Sequence, residues 1–594
     1  MSGPHEVILG IGGYLGHDAN AALLVDGRLI GASQEERFTR RKHDGDYPRH
    51  AIMDCLAQAR LSAQDVTDCV FAEKPLQASL FDRAGMAGGL ARWLGRVAPE
   101  SSSGLYSVPA RQMFPGARFH FAWHHMSHVA GAFHTGDGQR AAFLCLDGKG
   151  EDYSASAGVI DHGELQLRWE QPYENGLGLL YTLVTYHLGF PSFGSEYKVM
   201  GLAPYGRPTL VAGLERLFAT DDRGGLRLHA AVKFRWPMLD AAAALVTEAT
   251  GLPARGREQP LTAEHIDLAA SVQHVFEREV FKMARFLRRE TGERRLLFCG
   301  GCAQNCVVAG RLRDARIFEH VANSPIGGDM GSGLGAALLL ARHRTKQGAP
   351  LRVDPQGYCL GPEPGPAPAA AAPWRVPCAG SLHDFVAGEL AAGRTCGWIR
   401  GRMELGARAL GARSILADPR QPGMQSRLNL AVKFRESFRP FAPAILAEHT
   451  GEWFDSAEAS DFMNYTAHLR PELRNPPPAR LGSLREQLDF PRCALPSVVH
   501  VDFSARLQTV RPSVHPDFHR LLTAFHARTG TPILINTSFN VSGQPIVRTA
   551  ADAWECFVNT DLDLLVLNDE IYRNPGQRTR EEKLTWLKTF AASA

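Results

Sequence analysis

Two histidines four residues apart, His124 and His128, are the side chains in this sequence best suited to bind a metal ion. Residues 124–133 have helical character, so both imidazoles share one helix face while His125 points elsewhere. Neutral imidazoles at this spacing are a ready pair of metal ligands. The alternative is a capped surface helix with incidental histidines, and the spacing alone leaves both interpretations open.

Two carboxylates stand at positions typical of a ligand site. Asp147 follows the apolar segment 141–146 and precedes glycines, which predicts a buried strand ending at a cleft. Asp329 lies in a glycine-rich loop, 324–331.

A basic, glycine-interleaved stretch, 402–439, is the second candidate site. Its eight cations face only Glu404, Asp418 and Glu436, and arginine binds phosphate oxygens in pairs. A bound polyanion would explain this pattern; a solvated basic face is the alternative. The eight cations are Arg402, Arg408, Arg413, Arg420, Arg427, Lys433, Arg435 and Arg439. The residues after a predicted strand at 532–535, Asn536 to Asn540, suit either a small polar ligand or an Asx or ST turn.

The elements around the first site are repeated. Strands are predicted at 7–11, 21–25 and 29–32, with a glycine turn and an Asp26-Gly27 hairpin between them. The same plan recurs at 141–146, 153–160 and 165–169, which predicts duplicated halves. Facing glycine turns make a cleft whose backbone N–H groups hold phosphate.

Further elements complete the outline. Helices are predicted at 49–60, at 263–290 after a Thr262 cap, and at 333–341. A strand at 295–299 leads into Gly300, Gly301 and Asn305, an arrangement suited to a nucleoside. The proline-rich stretch 343–377 predicts a domain boundary near 350–375, followed by a helix at 382–392 and a strand at 396–399.

Composition sets the class of protein. A chain of 594 residues should hold two or more domains, and its net charge of +3 argues against wholesale nucleic-acid or membrane binding. No secretory signal precedes Val7, and no apolar run approaches the ~20 residues of a membrane span. The eleven scattered cysteines indicate a reduced, cytoplasmic enzyme. The cluster Cys299, Cys302 and Cys306 is interpreted as buried thiols beside a glycine turn, since no second ligand pair completes a zinc-finger spacing.

The order and spacing of many short motifs resemble those of the nodulation-type and antibiotic-tailoring carbamoyltransferases, nearly from end to end. In the first domain the matching motifs are Gly16-His17-Asp18-Ala19, Glu35-Glu36-Arg37-Phe38, His124-His125-x-x-His128, Asp147-Gly148, Tyr197-Lys198-Val199-Met200-Gly201-Leu202, Gly300-Gly301 and Pro325-x-x-x-Asp329-x-Gly331. In the second they are Gly406-Ala407-Arg408-Ala409-Leu410-Gly411, Lys433-x-Arg435-Glu436, Arg439-Pro440-Phe441-Ala442-Pro443, His500-x-Asp502-x-Ser504-x-Arg506 and Asn536-Thr537-Ser538-Phe539-Asn540.

This resemblance implies an α/β protein of two domains. Residues 1–350 would form a duplicated actin/Hsp70-like carbamoyl-transfer domain, 351–375 a linker, and 376–594 a YrdC-like domain. The second domain would cleave carbamoyl phosphate to carbamate and join carbamate to ATP as carbamoyl adenylate. The first domain would then transfer the carbamoyl group to a hydroxyl of a small-molecule acceptor, releasing AMP.

The resemblance also implies roles for individual residues. His17 matches a general base and Lys42 a cation near the reacting carbonyl. The implied ligands of a divalent metal, Fe²⁺ before Mn²⁺ or Zn²⁺, are His124, His128, Asp147 and Asp329. Carbamoyl phosphate and ATP, with Mg²⁺, would bind Arg408, Lys433, Arg439, Arg506 and Ser538. Nucleotide contacts in the first domain are assigned to Gly148, Lys198, Gly300, Gly301 and Asn305.

The acceptor is the least defined part of this interpretation. Some relatives carry an acid two residues before the histidine, where this chain has Leu15. If that acid assists the base or contacts the acceptor, this protein uses another residue or a different acceptor. We expect the acceptor contacts in loops that include 75–115, with a hydroxyl or an amine as the nucleophile, no nucleic-acid or membrane partner, and a homodimer as one candidate assembly.

Four other functions were weighed. A sugar kinase of the actin superfamily fits the duplicated hairpins but not the histidine pair or the basic second domain. A tRNA threonylcarbamoyl transferase fits poorly with the modest net charge. A metallopeptidase would need a glutamate between His124 and His128, where there is none. A non-enzymatic nucleotide-binding scaffold would not need His17, Lys42 and the cation set.

Overall fold

The computed structural model describes residues 5–73, 107–191, 194–235, 239–345, 351, 353–456, 458–477 and 481–589. Most of the predicted acceptor segment, 75–115, therefore lies outside the described residues. The chain divides into two compact units, Met1–Glu35 with His43–Asp354, and Glu36–Lys42 with Pro355–Ala594. Within the described part, none of the helices combines the length and apolarity that crossing a bilayer requires.

The first unit is built on two five-stranded sheets with the same strand order. One sheet runs β3-β2-β1-β4-β5 and the other β8-β7-β6-β11-β12. The strands, including a separate β9–β10 hairpin, are β1 (Val7–Gly12), β2 (Asn20–Val25), β3 (Arg28–Gln34), β4 (Asp68–Phe71), β5 (Arg118–Phe121), β6 (Ala141–Gly150), β7 (Tyr153–Asp161), β8 (Glu164–Pro172), β9 (Phe218–Thr220), β10 (Leu226–Leu228), β11 (Arg295–Cys299) and β12 (His320–Asn323).

Matching pairings confirm the predicted duplication. In each sheet an antiparallel three-strand meander is extended by two parallel strands, so β1 pairs with β4 as β6 pairs with β11. The central strand β1 is buried along its whole length, because its apolar residues are covered on both faces. The α/β class is confirmed, and the first unit has two sheets with the same strand order and pairing.

One strand differs from its predicted limits. Strand β6 continues to Gly150, beyond the predicted end at 146, and its register with β7 shifts between Leu146 and Gly150. Residues 147–149 therefore form an irregularity within the hairpin. This local break in the ladder directs Asp147 away from the regular pairing.

Helices of eight or more residues in the first unit confirm the predicted periodicity. The longest, 263–291, begins at Thr262, whose side chain accepts a hydrogen bond from the His265 amide, and ends at the left-handed Gly292. These helices are α1 (Arg49–Ala59), α2 (His124–His134), α3 (Leu177–His187), α4 (Leu239–Thr250), α5 (Ala263–Thr291), α6 (Cys306–Asp314) and α7 (Ser332–Arg344). Shorter helices are Glu196–Leu202, Val211–Leu214 and Ala230–Arg235.

The second unit contains a nine-stranded mixed sheet of order β13-β21-β20-β14-β15-β19-β16-β18-β17. Its strands are β13 (Arg375–Val376), β14 (Cys396–Ile399), β15 (Arg413–Ala417), β16 (Ala442–Leu446), β17 (Tyr465–His468), β18 (Ser504–Val510), β19 (Ile533–Ser538), β20 (Leu564–Leu567) and β21 (Glu570–Arg573). Its helices are Glu36–Thr39, α8 (Leu382–Ala391), Met424–Arg427, Thr450–Trp453, Leu484–Asp489, α9 (Pro516–Thr529), α10 (Ala550–Val558) and α11 (Arg580–Lys588). Apolar clusters cover both faces of this sheet.

Part of the proline-rich stretch is ordered within this unit. The alanine run lies in a short 3-10 helix, Ala369–Trp374, with Ala371 fully buried, and Arg375 and Val376 pair with β21. The amide of Ala550 donates to the carbonyl of Pro364. Proline and alanine here form a fixed edge of the second unit.

A buried carboxylate ties together the edge of the first sheet. Asp68, fully buried at the start of β4, accepts hydrogen bonds from Arg118 of β5 and Arg344 of α7 and contacts His120 at 2.8 Å. Burial raises the pKa of Asp68, but the hydrogen bonds from Arg344, Arg118 and His120 lower it well below its usual value. The ionised form is therefore the one that stabilises the fold.

We expect Asp68→Asn to destabilise the first unit by about 3 kcal/mol, because two cations lose their buried partner. This corresponds to a fall of about 4 °C in the thermal transition. Since the folded-state pKa lies below the unfolded value near ~3.9, the carboxylate stabilises the native protein above that pH. Its contribution is lost as the pH falls through the folded-state pKa.

Calorimetry at pH 7 measures the loss of stability, and calorimetry between pH 4 and pH 3 measures the onset of its pH dependence. The matched control is Asp65→Asn, three residues away at an exposed turn, where the carboxylate accepts from the amide and hydroxyl of Ser62. An equal loss of stability in both variants would show that the ion network of Asp68 has no special weight.

Candidate functional site

Three elements bring the predicted metal ligands together. Helix α2 presents His124 and His128 on one face, as the four-residue spacing predicts. The irregular end of β6 supplies Asp147, and the short turn Asp329–Gly331 before α7 supplies Asp329. One nitrogen or oxygen from each of the four residues lies within 4.8 Å of all the others.

The distances within this cluster are short. His124 Nε2 and His128 Nε2 are 2.9 Å apart, and Asp147 Oδ2 lies 3.4 and 3.0 Å from them. Asp329 Oδ1 lies 3.2 Å from His124 Nε2 and 3.3 Å from His128 Nε2. Ligands around a tetrahedral centre with bonds of about 2.0–2.1 Å are about 3.3 Å apart. The donor set and its spacing therefore fit a divalent transition metal.

The pKa shifts of the two histidines also favour a bound cation. Burial lowers the pKa of both imidazoles, but the carboxylates outweigh it, so that the pKa of His124 rises well above its usual value and that of His128 to about 9. By contrast, burial lowers the pKa of His125 to about 3 and keeps that ring neutral. The two carboxylates thus favour positive charge at these two rings, and a bound divalent cation would supply that charge.

The predicted base, His17, lies at the edge of this cluster. Its Nδ1 is 2.9 Å from Asp18 Oδ2, and its Nε2 is 3.3 Å from Asp329 Oδ2. Burial lowers the pKa of His17, but the Asp329 and Asp18 carboxylates raise it overall. About half of the side chain remains exposed, at 54%, so a substrate can reach it.

Two residues that the sequence interpretation missed hold this arrangement in place. Asp18 contacts His17 with one oxygen and His43 Nδ1, at 3.0 Å, with the other. The Asn20 amide donates to the carbonyls of Asp18 and Asp329, and its oxygen accepts from the Gly333 amide. Asn20 thereby joins the turn after β1 to the turn before α7. An acid directly beside a candidate base was the signal available for Asp18.

Several of the residues predicted to bind nucleotide in the first unit pack against, or form hydrogen bonds with, other residues of that unit. The Gly148 amide donates to Asp147 Oδ1 at 2.7 Å. Gly300 has φ +92°, and a Cβ there would meet the Leu146 carbonyl oxygen at 2.3 Å, so only glycine fits. A Cβ on Gly301 would meet Asp147 Oδ1 at 2.8 Å. These three glycines therefore border the metal cluster.

Asn305 and Lys198, the other two residues predicted to bind nucleotide, contact other parts of the first unit. The Asn305 oxygen caps α6 by accepting from the Val308 amide, and its amide donates to Gln273 Oε1. Lys198, in the helix Glu196–Leu202, places Nζ 5.6 Å from the centre of the Phe190 ring. The structure thus gives Asn305 a capping role, which the sequence pattern did not separate from ligand binding.

In the second unit, strand register gathers the predicted phosphate-binding residues. Ala442 begins β16, three residues after Arg439, and pairs with Asn536 of β19. On the other side of β16, Ala444 pairs with Gln508 of β18, two residues beyond Arg506. Arg439, Arg506 and Ser538 therefore belong to one edge of the sheet.

Lys433 reaches the same edge from the preceding turn. Its buried Nζ donates to the Ser538 carbonyl and to Asn540 Oδ1, both at 2.6 Å, and lies 3.3 Å from Ser538 Oγ. Burial lowers the pKa of Lys433 well below its usual value, and the charges of Arg435, Arg439 and Lys42 lower it further. Cations gathered at this density favour a bound anion.

Arg408 lies in a loop that hydrogen bonds from β18 and β19 hold at this edge of the sheet. The Asn536 amide donates to the Ala409 carbonyl, and the Gln508 amide donates to the Leu410 carbonyl. The buried carboxylate of Glu404 accepts from the amides of Leu410, Ala412 and Arg413. The sequence analysis interpreted Asn536 as a ligand contact or turn residue and Glu404 as a counter-charge, whereas both side chains hold this loop in place.

Several of the eight cations in 402–439 are engaged by carbonyls or carboxylates of the second unit. Arg413 is fully buried and donates to five backbone carbonyls, among them those of Gly401 and Pro362. Arg402 donates to two carbonyls, Arg420 pairs with Asp418, and Arg427 pairs with Asp563. The count of eight therefore overstates the positive charge that a ligand would meet.

The segment Glu36–Lys42 groups with the second unit, which includes the predicted cation Lys42. Arg37 donates to the Gly406 carbonyl, and Arg40 donates to the carbonyls of Pro545 and Ile546. The Arg548 guanidinium lies 4.6 Å from the centre of the Phe38 ring. Lys42 is thus held near the cations of the second unit.

Comparison with known proteins identifies the family to which this chain belongs. The family described as carbamoyltransferase N-terminus matches residues 7–83 and 111–338, and the carbamoyltransferase C-terminus matches residues 387–574. The chain is 39% identical to an uncharacterized protein of Synechocystis sp., over 98% of this chain and 99% of that protein. It is 35% identical to nodulation protein NolNO of Sinorhizobium fredii, over 96% of this chain and 81% of that protein.

A third relative is named for its reaction. The 3'-hydroxymethylcephem-O-carbamoyltransferase of Amycolatopsis lactamdurans is 33% identical, over 47% of this chain and 48% of that protein. The family match covers most of the chain, including both units and nearly all of the residues assigned above. The chain belongs to the carbamoyltransferase family.

Proposed function

We propose that this protein is an ATP-dependent O-carbamoyltransferase that uses carbamoyl phosphate. Carbamoyl phosphate and water give carbamate and phosphate. A carbamate oxygen then attacks the α-phosphorus of ATP, which releases pyrophosphate and leaves carbamoyl adenylate. An acceptor hydroxyl attacks the carbamoyl carbon, loses its proton and displaces AMP, and the product is a carbamate ester.

The observation that carries this proposal is the cation cluster in the second unit. Arg408, Lys433, Arg439 and Arg506 converge on one sheet edge that ends at Ser538, through the register and contacts described above. Carbamoyl phosphate and the ATP triphosphate are the anions that would neutralise this edge, with Mg²⁺ shared between phosphate oxygens. Lys42, held in the same unit, adds to that charge.

In the first unit, the residues around the metal cluster suit the transfer step. His124, His128, Asp147 and Asp329 would hold Fe²⁺, Mn²⁺ or Zn²⁺. When bound, such an ion supplies positive charge to nucleotide phosphate oxygens. With the ion bound, its charge would offset the Asp329 carboxylate that raises the His17 pKa, so that the neutral ring can accept the acceptor's proton. Asp18 fixes the orientation of the His17 ring through Nδ1. A Cβ on Gly148 would meet nothing within 4 Å, so there is open space here for a nucleotide, whereas Gly300 and Gly301 pack closely against Leu146 and Asp147. Lys198 is the proposed cationic contact of the nucleotide in this unit.

The acceptor is proposed to be a small molecule with a free hydroxyl. The relative from Amycolatopsis lactamdurans is named as an O-carbamoyltransferase of a hydroxymethyl cephem, which supports oxygen over nitrogen as the nucleophile. A modest net charge of +3 supports a small-molecule acceptor in the cytoplasm over a nucleic acid or membrane surface.

Product analysis tests this function. The protein is incubated with ATP and carbamoyl phosphate, with and without hydroxyl acceptors, and the nucleotides are separated. We expect AMP and pyrophosphate, formed only when carbamoyl phosphate is present. Formation of ADP would indicate a kinase instead, and nucleotide cleavage independent of carbamoyl phosphate would overturn the proposal.

A further inference from the structure

One carboxylate beside the metal cluster, Glu73, has no part in the function proposed above. It follows β4 by two residues, so it lies at the carboxyl end of a strand next to β1. Its side chain is 13% exposed, and Oε1 lies 3.5 Å from His124 Nδ1. That nitrogen is on the far side of the imidazole from Nε2, the atom that faces the other three ligands.

His124 and His128 differ in what lies next to their Nδ1 atoms. His128 Nδ1 is buried and has no hydrogen-bond partner among the described residues. His124 Nδ1, by contrast, has the Glu73 carboxylate within reach. Of the two carboxylate ligands, Asp147 accepts from the Gly148 amide and Asp329 faces His17. Each ligand except His128 thus has an outer partner.

The physical consequence follows from the tautomers of imidazole. A carboxylate near Nδ1 favours the proton on that nitrogen, which leaves the lone pair on Nε2. Nε2 of His124 is 2.9 Å from Nε2 of His128, so two lone pairs directed at one point repel each other unless a cation lies between them. A negative charge behind His124 makes its Nε2 a stronger donor to such a cation.

We propose that Glu73 is an outer-shell residue of the metal centre, which orients the His124 ring and increases its affinity for the ion. It acts through His124 and is therefore a positioning residue. This inference concerns metal affinity alone. Its outcome is separate from that of the carbamoyl-transfer proposal, since metal binding can be measured without any substrate.

Glu73→Gln tests this role in the full-length protein. The variant keeps the shape of the side chain and removes its charge. Zn²⁺ affinity is measured by competition with a chromophoric chelator, and the visible spectrum of the Co²⁺-substituted protein reports the ligand geometry. We expect a 10- to 100-fold weaker Zn²⁺ affinity, the usual effect of losing an outer-shell partner, with a shifted Co²⁺ spectrum.

The matched control is Glu151→Gln. The Glu151 carboxylate accepts from the His124 backbone amide at 3.4 Å, so it places a similar charge at the same helix end through a backbone contact. We expect its Zn²⁺ affinity to equal that of the unmodified protein. Equal losses in both variants would overturn the proposal, because they would indicate general electrostatics.

A second variant distinguishes the loss of charge from a folding defect. Glu73→Asp keeps the charge but shortens the side chain, and should give a loss of affinity between those of the glutamine variant and the unmodified protein. Circular dichroism confirms the fold of each variant before titration. Unchanged affinity in a folded Glu73→Gln variant, or no stoichiometric metal binding by the unmodified protein, would contradict the inference.

Discussion

His17→Asn is expected to reduce carbamoyl transfer to the acceptor by about 10²–10⁴-fold, the contribution of one positioned general base. Carbamoyl-phosphate-dependent exchange of labelled pyrophosphate into ATP should persist, because the cations proposed to bind these substrates lie in the second unit. The reason is geometric. His17 faces the metal cluster through Nε2 and is half exposed.

The fold supplies a matched control for this substitution. His5 forms a similar contact with Asp26, at 2.6 Å, at the opposite end of the β1–β2 pair. A strand pair of six residues separates the two histidines by roughly 20 Å. His5→Asn should leave both transfer and exchange unchanged. If His17→Asn abolishes exchange as well as transfer, His17 is not confined to the transfer step.

Arg439→Ala is expected to abolish adenylate formation itself, with pyrophosphate exchange reduced by about 10²–10³-fold. Arg439 precedes β16 at the edge where Lys433 and Ser538 meet, and its charge contributes to the lowered pKa of Lys433. Removing one cation from this edge weakens the binding of both phosphate-bearing substrates. Transfer should fall in parallel, because it depends on the adenylate.

Arg427→Ala is the control for Arg439. This arginine belongs to the same basic segment, but its guanidinium pairs with Asp563 and donates to the Gly393 carbonyl. Exchange should stay within about two-fold of the unmodified rate, as for a partly exposed ion pair remote from the substrate. Retained exchange in Arg439→Ala would remove Arg439 from the proposed site, and equal losses in both variants would point to a general effect of charge.

The elements of the fold were largely predictable because periodicity is a local property. The repeated strand and hairpin pattern predicted both halves of the first unit, and the Thr262 cap predicted the start of its longest helix. The end of β6 was harder to predict from the sequence. Residues 147–149 break the ladder through a register shift that depends on β7, and alternation of residue types does not report pairing.

In the candidate sites, too, local features were predictable from the sequence, whereas contacts between distant elements were not. The spacing of His124 and His128 predicted a shared helix face, but the contributions of Asp147 and Asp329 depend on packing between distant elements. Charge counting over 402–439 failed to separate Arg413, which donates only to backbone carbonyls, from cations near the sheet edge. Sequence shows the charge of a side chain, whereas its partners are set by the tertiary fold.

An oxygen-label experiment tests the two-step carbamoyl transfer most directly. Carbamoyl phosphate carrying ¹⁸O in its carbonyl group is supplied with ATP and an acceptor, and AMP is analysed by mass spectrometry. The two oxygens of free carbamate are equivalent, so the label should appear in the phosphate of one half of the AMP molecules and in the ester of the remaining products. AMP free of ¹⁸O would contradict a carbamoyl adenylate and with it the proposed reaction.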